Sequence, residues 1–373
     1  MAASESAPLM KDGLNAHAIQ RIAKSLVQVV PGFNSKRFQK NSLTGIESLE
    51  LKQRVHHIIQ QMHHEFDHPY KKLSRYLQDL PQVWNAGNIG DNKAMFAAWP
   101  VIDYVSVHGL ENPTEPLKTL EKLTHLFSAE FSIRPFIQHH YQQTYSQLLN
   151  WCEHDSEHVR RLASEGSRPR LPWGMRLPQF IQDPKPLKAI LEKLNCDESL
   201  YVRRSVANNI NDITKDNPDW AINLCRSFLE NQDEKTEWII KHALRSLIKS
   251  GDQRVFPLLG YSKNVKVEID QFSINNLLIS VGDDLNFSFR LKSNRTLQDL
   301  VVDYVLYFMK ANGSLSAKVF KLKNIQLKKG MEILFEKKHS FKQITTRSYY
   351  SGLHQLAIQV NGKEIGRLDF MLR

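Results

Sequence analysis

Residues 160–174 carry the side chains whose types and spacing best suit chemistry. The segment contains four arginines, a glutamate placed where a helix is expected to end, and a tryptophan in a loop rich in proline and glycine. Arginines bind phosphate, an aromatic face attracts a cationic base, and a carboxylate stabilises developing positive charge. The Val-Arg-Arg pattern returns at Val202-Arg203-Arg204 and is followed by a second carboxylate, Asp212. This combination indicates chemistry on alkylated DNA.

The helix that contains Asp212 is predicted to begin near Asp197, a suitable N-cap, and to end before Pro218. Its apolar residues recur every four positions from Val202 and should face the core. A second row with the same spacing lies on a different face and comprises Arg204, Asn208 and Asp212. We therefore expect Asp212 in or near the last helical turn.

The two Val-Arg-Arg segments align when Val159 is set on Val202, which gives an internal repeat of 43 residues. In this alignment Glu165 of the first copy matches Asn208 of the second. Gly166 follows it and is a good C-terminal cap residue, so Glu165 should also end its helix, with Arg161 one turn earlier on the same face. An acid at this end opposes the helix dipole by about 0.3–1 kcal/mol. Two interpretations stay open. Either the function requires acids at both helix ends, or these acids form structural Arg–carboxylate pairs that join the helices of neighbouring repeats.

Trp173 lies between Pro172 and Gly174, in a segment too rich in proline for a helix interior. It either contacts a base or covers the core as a plug. Arg168 and Arg170, close to it in sequence, either bind phosphates or are solvated. The sequence leaves both questions open.

Glu130 is a third acid of interest. Arg134 follows four residues later, so an ion pair along one helix face is the simpler interpretation. Pro135 is expected to open the next helix, which would leave Glu130 on a turn where it could project into a groove. The spacing does not decide between the two.

The elements that must position these residues fall into two blocks after residues 1–13, which are predicted to be a disordered tail. From residue 14 to about 259, apolar residues recur at helical spacing between Pro and Gly. The 43-residue repeat, with a weaker third copy at Trp238, predicts a HEAT-like α-solenoid over residues 14–262. Alternating runs and two Asn-Gly dipeptides, Asn312-Gly313 and Asn361-Gly362, predict an immunoglobulin-like β-sandwich of about seven strands over residues 263–373.

Composition limits the function classes. The net charge of +11 favours a polyanionic partner, although a generally basic protein would show the same value. The three cysteines form no Cys-x-x-Cys pair and no His-Glu-x-x-His motif is present, so we expect no metal and no cofactor. The N-terminus lacks a signal-peptide pattern and no apolar run reaches the length of a membrane span. We therefore expect a cytoplasmic protein, associated with the nucleoid when bound to DNA, that does not enter membranes.

Several strings resemble the AlkC branch of the AlkD/AlkC DNA alkylation repair glycosylases. The longest are Val159-Arg-Arg-Leu-Ala-Ser-Glu-Gly-Ser-Arg-Pro-Arg-Leu-Pro-Trp-Gly and Tyr201-Val-Arg-Arg-Ser-Val-Ala-Asn-Asn-Ile-Asn-Asp, with shorter ones from His108 and Leu123. The resemblance covers about residues 14–260. Some AlkC-like proteins also carry a C-terminal Ig-like domain, in agreement with the β-rich block.

The resemblance implies hydrolysis of the N-glycosidic bond of N3-alkylated bases, 3-methyladenine and 3-methylcytosine, in base excision repair. It also implies that the base is not flipped in the conventional way. By resemblance, Asp212, Glu130 and Glu165 match acidic positions of the active site, and Trp173 matches its aromatic. The predicted DNA-binding residues are Arg161 and Arg168, by resemblance, with Arg170, Arg203 and Arg204. Asn209 stands close to where a histidine is expected, a change that should be tolerated.

The expected partner is double-stranded DNA that contains alkylated bases, bound by a monomer, with the Ig-like domain embracing the DNA. The alternative is a non-catalytic HEAT-like module that binds bent or branched nucleic acid. The acids and Trp173 favour the enzyme, because pure binding would need only the arginines.

Overall fold

The computed structural model describes residues 9–84, 93–230, 234–344 and 347–373. Within them the first part of the chain is a succession of helices joined by short turns. The α-helices are α1 (Ala16–Val29), α2 (Ser35–Leu43), α3 (Leu51–Glu65), α4 (Tyr70–Gln78), α5 (Leu80–Val83), α6 (Trp99–His108), α7 (Thr114–Leu123), α8 (Ile133–His139), α9 (Tyr141–Trp151), α10 (Glu157–Gly166), α11 (Pro178–Gln182), α12 (Leu187–Leu194), α13 (Leu200–Ile213), α14 (Pro218–Leu229), α15 (Glu234–Ala243) and α16 (Arg245–Ser250). None of these helices is long and apolar enough to cross a membrane.

The predicted tail is partly ordered. Residues 1–8 lie outside the described residues, but Met10–Gly13 form a 3-10 helix instead of a disordered segment. Arg54 of α3 holds this helix, because its guanidinium donates to the carbonyl oxygens of Lys11 and Leu14 at 3.0 and 3.2 Å. A guanidinium that reaches back from 40 residues away is a tertiary contact, which local composition does not reveal.

The 43-residue repeat is visible in matching arginines. Arg160 in α10 donates to the carbonyl oxygens of residues 154 and 155, and Arg203 in α13 donates to those of residues 197 and 198. Both side chains therefore fold back over the turn that precedes their own helix. Arg160 also pairs with Asp197 at 2.6 Å, which ties the first repeat to the second.

The N-cap of α13 differs from the sequence prediction. Ser199, not Asp197, caps the helix, and its hydroxyl accepts from the backbone N–H of Tyr201. Asp197 lies outside the helix, where it accepts from the Ser199 N–H and from Arg160. Arg160 of the preceding repeat already bonds to the Asp197 carboxylate. The hydroxyl of Ser199 therefore accepts the hydrogen bond from the first turn of α13.

The second part of the chain is a β-sandwich. Its strands are β1 (Val267–Ile274), β2 (Leu278–Ile279), β3 (Asp284–Ser293), β4 (Leu297–Met309), β5 (Leu315–Lys328), β6 (Glu332–Ser340), β7 (Gly352–Val360) and β8 (Lys363–Leu372). One sheet has the order β1-β3-β6 and the other β2-β8-β7-β4-β5. All neighbours are antiparallel except β2 and β8. The apolar faces enclose one core, in which Phe289 and Phe335 stack at 4.7 Å.

Both Asn-Gly dipeptides form the predicted hairpin turns. Gly313 lies between β4 and β5 with φ 77°, and Asn361 and Gly362 join β7 to β8 with φ 45° and 75°. At the β7–β8 turn, positive φ at both central residues matches a twisted two-residue hairpin, whereas the β4–β5 loop is longer and has positive φ only at Gly313. Asn361 is also buried, and its side chain bonds to the N–H of Val301 at 2.7 Å and to the carbonyl of Ser262 at 2.9 Å.

The chain forms two compact units. One contains residues 1–220 and 233–239, and the other contains residues 221–232 and 240–373, so α14 and α16 group with the sandwich. The change from helix to strand lies between a 3-10 helix at Pro257–Leu259 and the start of β1. The domain boundary near residue 262 stays a prediction.

Candidate active site

The three acids singled out in the sequence lie at the ends of their elements. Glu165 and Asp212 are the penultimate residues of α10 and α13, as predicted. Glu130 lies in the turn that precedes α8, which begins at Ile133 and not at Pro135. Gly166 is the last residue of α10, and a Cβ atom there would come within 2.4 Å of Ile133. Glycine is thus needed so that α10 can end against α8.

Two arginines join the three acids into one chain of ion pairs. Arg161 lies 3.0 Å from Glu130 and 3.6 Å from Glu165. Arg168 lies 2.6 Å from the same oxygen of Glu165 and 2.8 Å from Asp212. Glu165 and Asp212 are 4% and 2% exposed, and Arg168 is 7% exposed. We call these five residues the acid–arginine cluster.

Lys215 ends the chain of ion pairs and was missed at the sequence level. Its Nζ atom lies 2.8 Å from the second carboxylate oxygen of Asp212. It stands three residues after the acid, a helical spacing at which side chains meet, so the signal was present. With this lysine, three formal negative charges face three positive ones.

Electrostatic effects in the acid–arginine cluster oppose one another. Burial raises the pKa of Glu130, while the Arg161 charge lowers it and the Glu165 charge raises it further. Burial lowers the pKa of Arg161 and of Arg168, but the neighbouring carboxylates outweigh it and the net shift is upward for both. The arginines therefore stay charged, and each buried acid has a cation beside it. Oε2 of Glu165 has no hydrogen-bond partner within the described part of the chain.

The ion pair between Glu130 and Arg134, the simpler of the two interpretations left open by the sequence, does not form. Arg134 is fully buried and donates from Nε to the carbonyl of Met175 at 2.7 Å and from Nη1 to that of Gly166 at 2.8 Å. Burial and the charge of Arg168 lower its pKa to about 10. Arg134 thus holds the end of α10 to the loop that carries Trp173.

Trp173 is 52% exposed and has φ 63°, a conformation that L-residues rarely adopt. The loop is held from both sides, because Lys52 donates to the carbonyl of Trp173 while Arg134 donates to that of Met175. The half-exposed indole is therefore presented by a fixed backbone. A buried plug would show little exposure, so the plug interpretation is not supported.

The predicted DNA-binding arginines differ in their contacts and in their exposure to solvent. Arg161 contacts Ser128 and the ring of Tyr201 in addition to the acids. Arg170 makes a two-point contact with Asp216, and Arg203 bonds to backbone carbonyls before its own helix. Arg204 is exposed.

Arg168 does not have the environment of a phosphate-binding residue. Its buried guanidinium is occupied by Glu165 and Asp212, so the geometry does not support the prediction of a direct DNA contact. The sequence left Arg168 as either a phosphate-binding or a solvated cation, and the buried position fits neither. The two acids that pair with it come from α10, which ends just before it, and from α13.

The helix-ending acids differ from a simple structural pair between repeats. The pair Arg160–Asp197 is a one-to-one contact between repeats, as structural pairing predicts. In the acid–arginine cluster, by contrast, three acids from three elements surround two arginines. With Lys215 the charges balance, so the distinctive feature is that acids from three elements share their cations. This convergence favours a function beyond one-to-one pairing. No group of His, Cys, Asp or Glu suited to a metal ion occurs within the described ranges.

A HEAT-like helical array with acids at its helix ends, followed by an Ig-like sandwich, is the class of protein that this fold and site define. A family model described as the C-terminal Ig-like domain of the uncharacterised protein YhaZ matches residues 268–373. YhaZ of Bacillus subtilis is 36% identical over 364 residues, which are 97% of this chain and 99% of YhaZ.

A solved structure is similar over the whole chain. It is the Pseudomonas fluorescens alkylpurine DNA glycosylase AlkC bound to DNA containing an abasic site analog. The identity is 38% and the TM-score 0.90, with 98% of this chain and 100% of AlkC covered. The chain therefore belongs to the AlkC and YhaZ family, which confirms the resemblance and the predicted fold class.

Proposed function

We propose that this protein is a DNA glycosylase that hydrolyses the N-glycosidic bond of alkylated bases in base excision repair. Full-length similarity to an enzyme named as an alkylpurine DNA glycosylase supports the reaction class. The substrates are N3-alkylated bases, with 3-methyladenine and 3-methylcytosine as the leading candidates. The observation that carries the proposal is the acid–arginine cluster, in which three carboxylates from separate elements meet.

The chemistry follows from charge. An N3-alkylated base is cationic, so it departs with the electron pair of the bond from C1′ and needs little help from a general acid. The sugar left behind is oxocarbenium-like, and a water molecule adds to C1′, loses a proton and completes the hydrolysis. At about 4 Å and an effective dielectric constant of about 20, one carboxylate stabilises such a cation by roughly 4 kcal/mol, or about a thousandfold in rate.

The arginines place a positive charge beside each group of acids that this reaction requires. A buried carboxylate without a cation would take up a proton and lose its effect on the sugar. The Arg161 charge lowers the pKa of Glu130 against the effect of burial. Arg161 and Arg168 together fix the orientation of the three carboxylates. We therefore assign them as positioning residues for Glu130, Glu165 and Asp212.

Trp173 is proposed to contact the lesion. An indole face attracts a cation by about 0.5–2 kcal/mol, more when water is excluded. Its exposure on a fixed loop suits contact with a base that stays in the DNA groove. This supports recognition without conventional base flipping, and the net charge of +11 supports a duplex DNA partner. We further propose that the protein binds DNA as a monomer in the cytoplasm.

The proposal is tested by incubating the purified protein with duplex DNA methylated by a simple alkylating agent and separating the released bases. We expect 3-methyladenine and 3-methylcytosine well above spontaneous loss, measured in DNA without protein. Binding of the methylated duplex with no released base above that background would instead support the non-catalytic module, the alternative function. Mass measurement of the protein and its complex in solution tests the monomer.

A further inference from the structure

Tyr201 of α13 packs its ring against α10. The guanidinium carbon of Arg161 lies 4.5 Å from the centre of this ring, a distance at which a cation interacts with an aromatic face. The ring also makes an edge-to-face contact with His158, with the two ring centres 5.7 Å apart and an angle of 72° between the planes. Tyr201 therefore contacts a cation of the acid–arginine cluster from the neighbouring repeat.

The backbone that carries Tyr201 is fixed to the same helix. The Tyr201 N–H donates to the hydroxyl of Ser199 at 3.2 Å, and this hydroxyl donates to the carboxylate of Glu157 in α10. Tyr201 also matches His158 in the 43-residue repeat, so a ring precedes Val-Arg-Arg in both copies. The start of α13 thus holds the Tyr201 ring in place over α10.

The acids hold Arg161 less firmly than they hold Arg168. Nη1 of Arg161 lies 3.0 Å from Glu130 and donates to Ser128 at 2.9 Å. Its Nη2 atom lies 3.6 Å from Glu165, which is longer than a hydrogen bond. Arg168, by contrast, donates from two different nitrogens to its two acids, at 2.6 and 2.8 Å. The guanidinium plane of Arg161 can therefore rotate about one nitrogen unless another group fixes it, and stacking on a ring does so.

We propose that Tyr201 is a positioning residue, whose ring face keeps the Arg161 guanidinium between its two acids. This inference rests on the proposed function, in which these acids must carry charge beside the sugar cation. The interaction uses the face of the ring and not the hydroxyl. Phenylalanine should therefore replace tyrosine at this position, and leucine should not.

The first experiment measures excision under single-turnover conditions. We expect Tyr201→Leu to release 3-methyladenine about tenfold more slowly than the wild type, with unchanged affinity for the methylated duplex, and Tyr201→Phe to keep the wild-type rate. Because Tyr201 is exposed, both variants keep the core intact. Tyr76→Leu is the matched control, since Lys72 lies over its ring outside the acid–arginine cluster, and it should excise as the wild type does.

Three results of this experiment would overturn the inference. A wild-type rate in Tyr201→Leu would show that the ring has no effect on the chemical step. An equal loss in Tyr201→Phe would assign the effect to the hydroxyl. Weaker duplex binding at a normal single-turnover rate would make Tyr201 a DNA contact instead of a positioning residue.

The pH profile of excision distinguishes positioning from a general loss of structure. Burial and the Glu165 charge raise the pKa of Glu130, and the Arg161 charge lowers it. Excision requires the ionised acid, so the rate falls as the pH decreases through this pKa. In Tyr201→Leu the displaced cation opposes burial less, and the fall should begin at a higher pH than in the wild type and Tyr201→Phe. Arg134 of α8 also interacts with this acid and is unchanged in all three proteins. Identical profiles would contradict the positioning role.

A measurement that needs no catalysis separates the inference from the proposed function. A ring current shifts protons above the ring face upfield in NMR spectra. The Nε–H signal of Arg161, identified by its loss in Arg161→Lys, should therefore move downfield in Tyr201→Leu and keep its position in Tyr201→Phe. An unmoved signal in Tyr201→Leu overturns the inference at any level of activity. The expected signals together with no base release by the wild type overturn the proposed function alone.

Discussion

The Nε atom of Arg168 lies 2.8 Å from Oδ2 of Asp212, and both side chains are buried. The same guanidinium reaches Glu165 through Nη1, so one cation holds the ends of two repeats. A buried pair of this kind adds little net stability compared with apolar residues, but removing one partner leaves an unpaired buried charge. The cluster is therefore better explained by a need for ionised acids than by a need for stability.

Asp212→Asn should abolish excision and leave DNA binding intact. The amide keeps the shape of the side chain but removes the charge that stabilises the sugar cation, at a cost of about 4 kcal/mol or roughly a thousandfold in rate. Single-turnover release of 3-methyladenine measures the first effect, and fluorescence anisotropy of a labelled duplex measures the second.

Asp216→Asn is the matched control for Asp212→Asn. Asp216 is also paired with an arginine, Arg170, but is more exposed and lies outside the acid–arginine cluster. It should keep excision within about threefold of the wild type, less than 1 kcal/mol. Full activity in Asp212→Asn would remove this acid from the mechanism.

The arginines should separate into structural and DNA-binding residues. Arg168→Met leaves Glu165 and Asp212 without their shared cation, so the free energy of unfolding should fall by about 3–5 kcal/mol. Arg204→Ala changes an exposed residue and should leave the free energy of unfolding within about 0.5 kcal/mol of the wild type. The slope of log affinity against log salt concentration should decrease in magnitude by about one, as expected for the loss of one phosphate contact. Chemical denaturation and salt titrations of DNA binding measure the two quantities. A normal salt slope in Arg204→Ala would refute its role on DNA.

The helix-end position of two acids could be predicted from the sequence because local rules determine it. The 43-residue repeat and the helical spacing placed Glu165 and Asp212 in the last turns, and the Asn-Gly pairs placed the hairpins correctly. These features depend on residues within a few positions of one another.

The partners of the long cations could not be predicted in the same way. Arg134 is four residues from Glu130 but bonds to backbone 32 and 41 residues away, and Arg168 reaches an acid 44 residues away. A guanidinium on a flexible stem selects its partner from the tertiary packing, which periodicity does not encode.

Asp103 gives stability a distinct pH dependence. Burial raises its pKa to about 6, against the opposing effects of Ser132, Trp99 and Lys52. A raised folded-state pKa favours the folded protein below the unfolded value near 4, and this contribution is lost as the pH rises through about 6. Asp103→Asn should therefore gain stability over the wild type between pH 5 and pH 8, by roughly 1–3 kcal/mol.

Denaturation of both proteins at each pH measures this gain. Lys52, whose charge acts on Asp103, is present in both proteins. A difference that does not change with pH would contradict the assignment.

The sandwich should contribute to DNA binding through β5. This edge strand carries exposed Lys323 and Lys328 and contains no acidic residue. Replacing both lysines with glutamine should weaken DNA binding. The slope of log affinity against log salt concentration should decrease in magnitude by about two, as expected for the loss of two phosphate contacts. The matched change of Lys337 and Lys338 on β6, where Lys338 already pairs with Asp284, should have a smaller effect. Equal effects of the two pairs would show that β5 has no special role.

Trp173→Gly should separate function from stability. Glycine adopts φ 63° freely, and relief of about 1–2 kcal/mol of strain should offset the lost packing of the half-exposed indole, so the free energy of unfolding stays within about 1 kcal/mol. Loss of the cation contact should slow excision by about 2–30-fold. Gln271→Gly, at φ 50° on an exposed residue of β1, is the matched control and should stabilise the protein without changing excision. Unaltered excision in Trp173→Gly would mean that the indole does not contact the lesion.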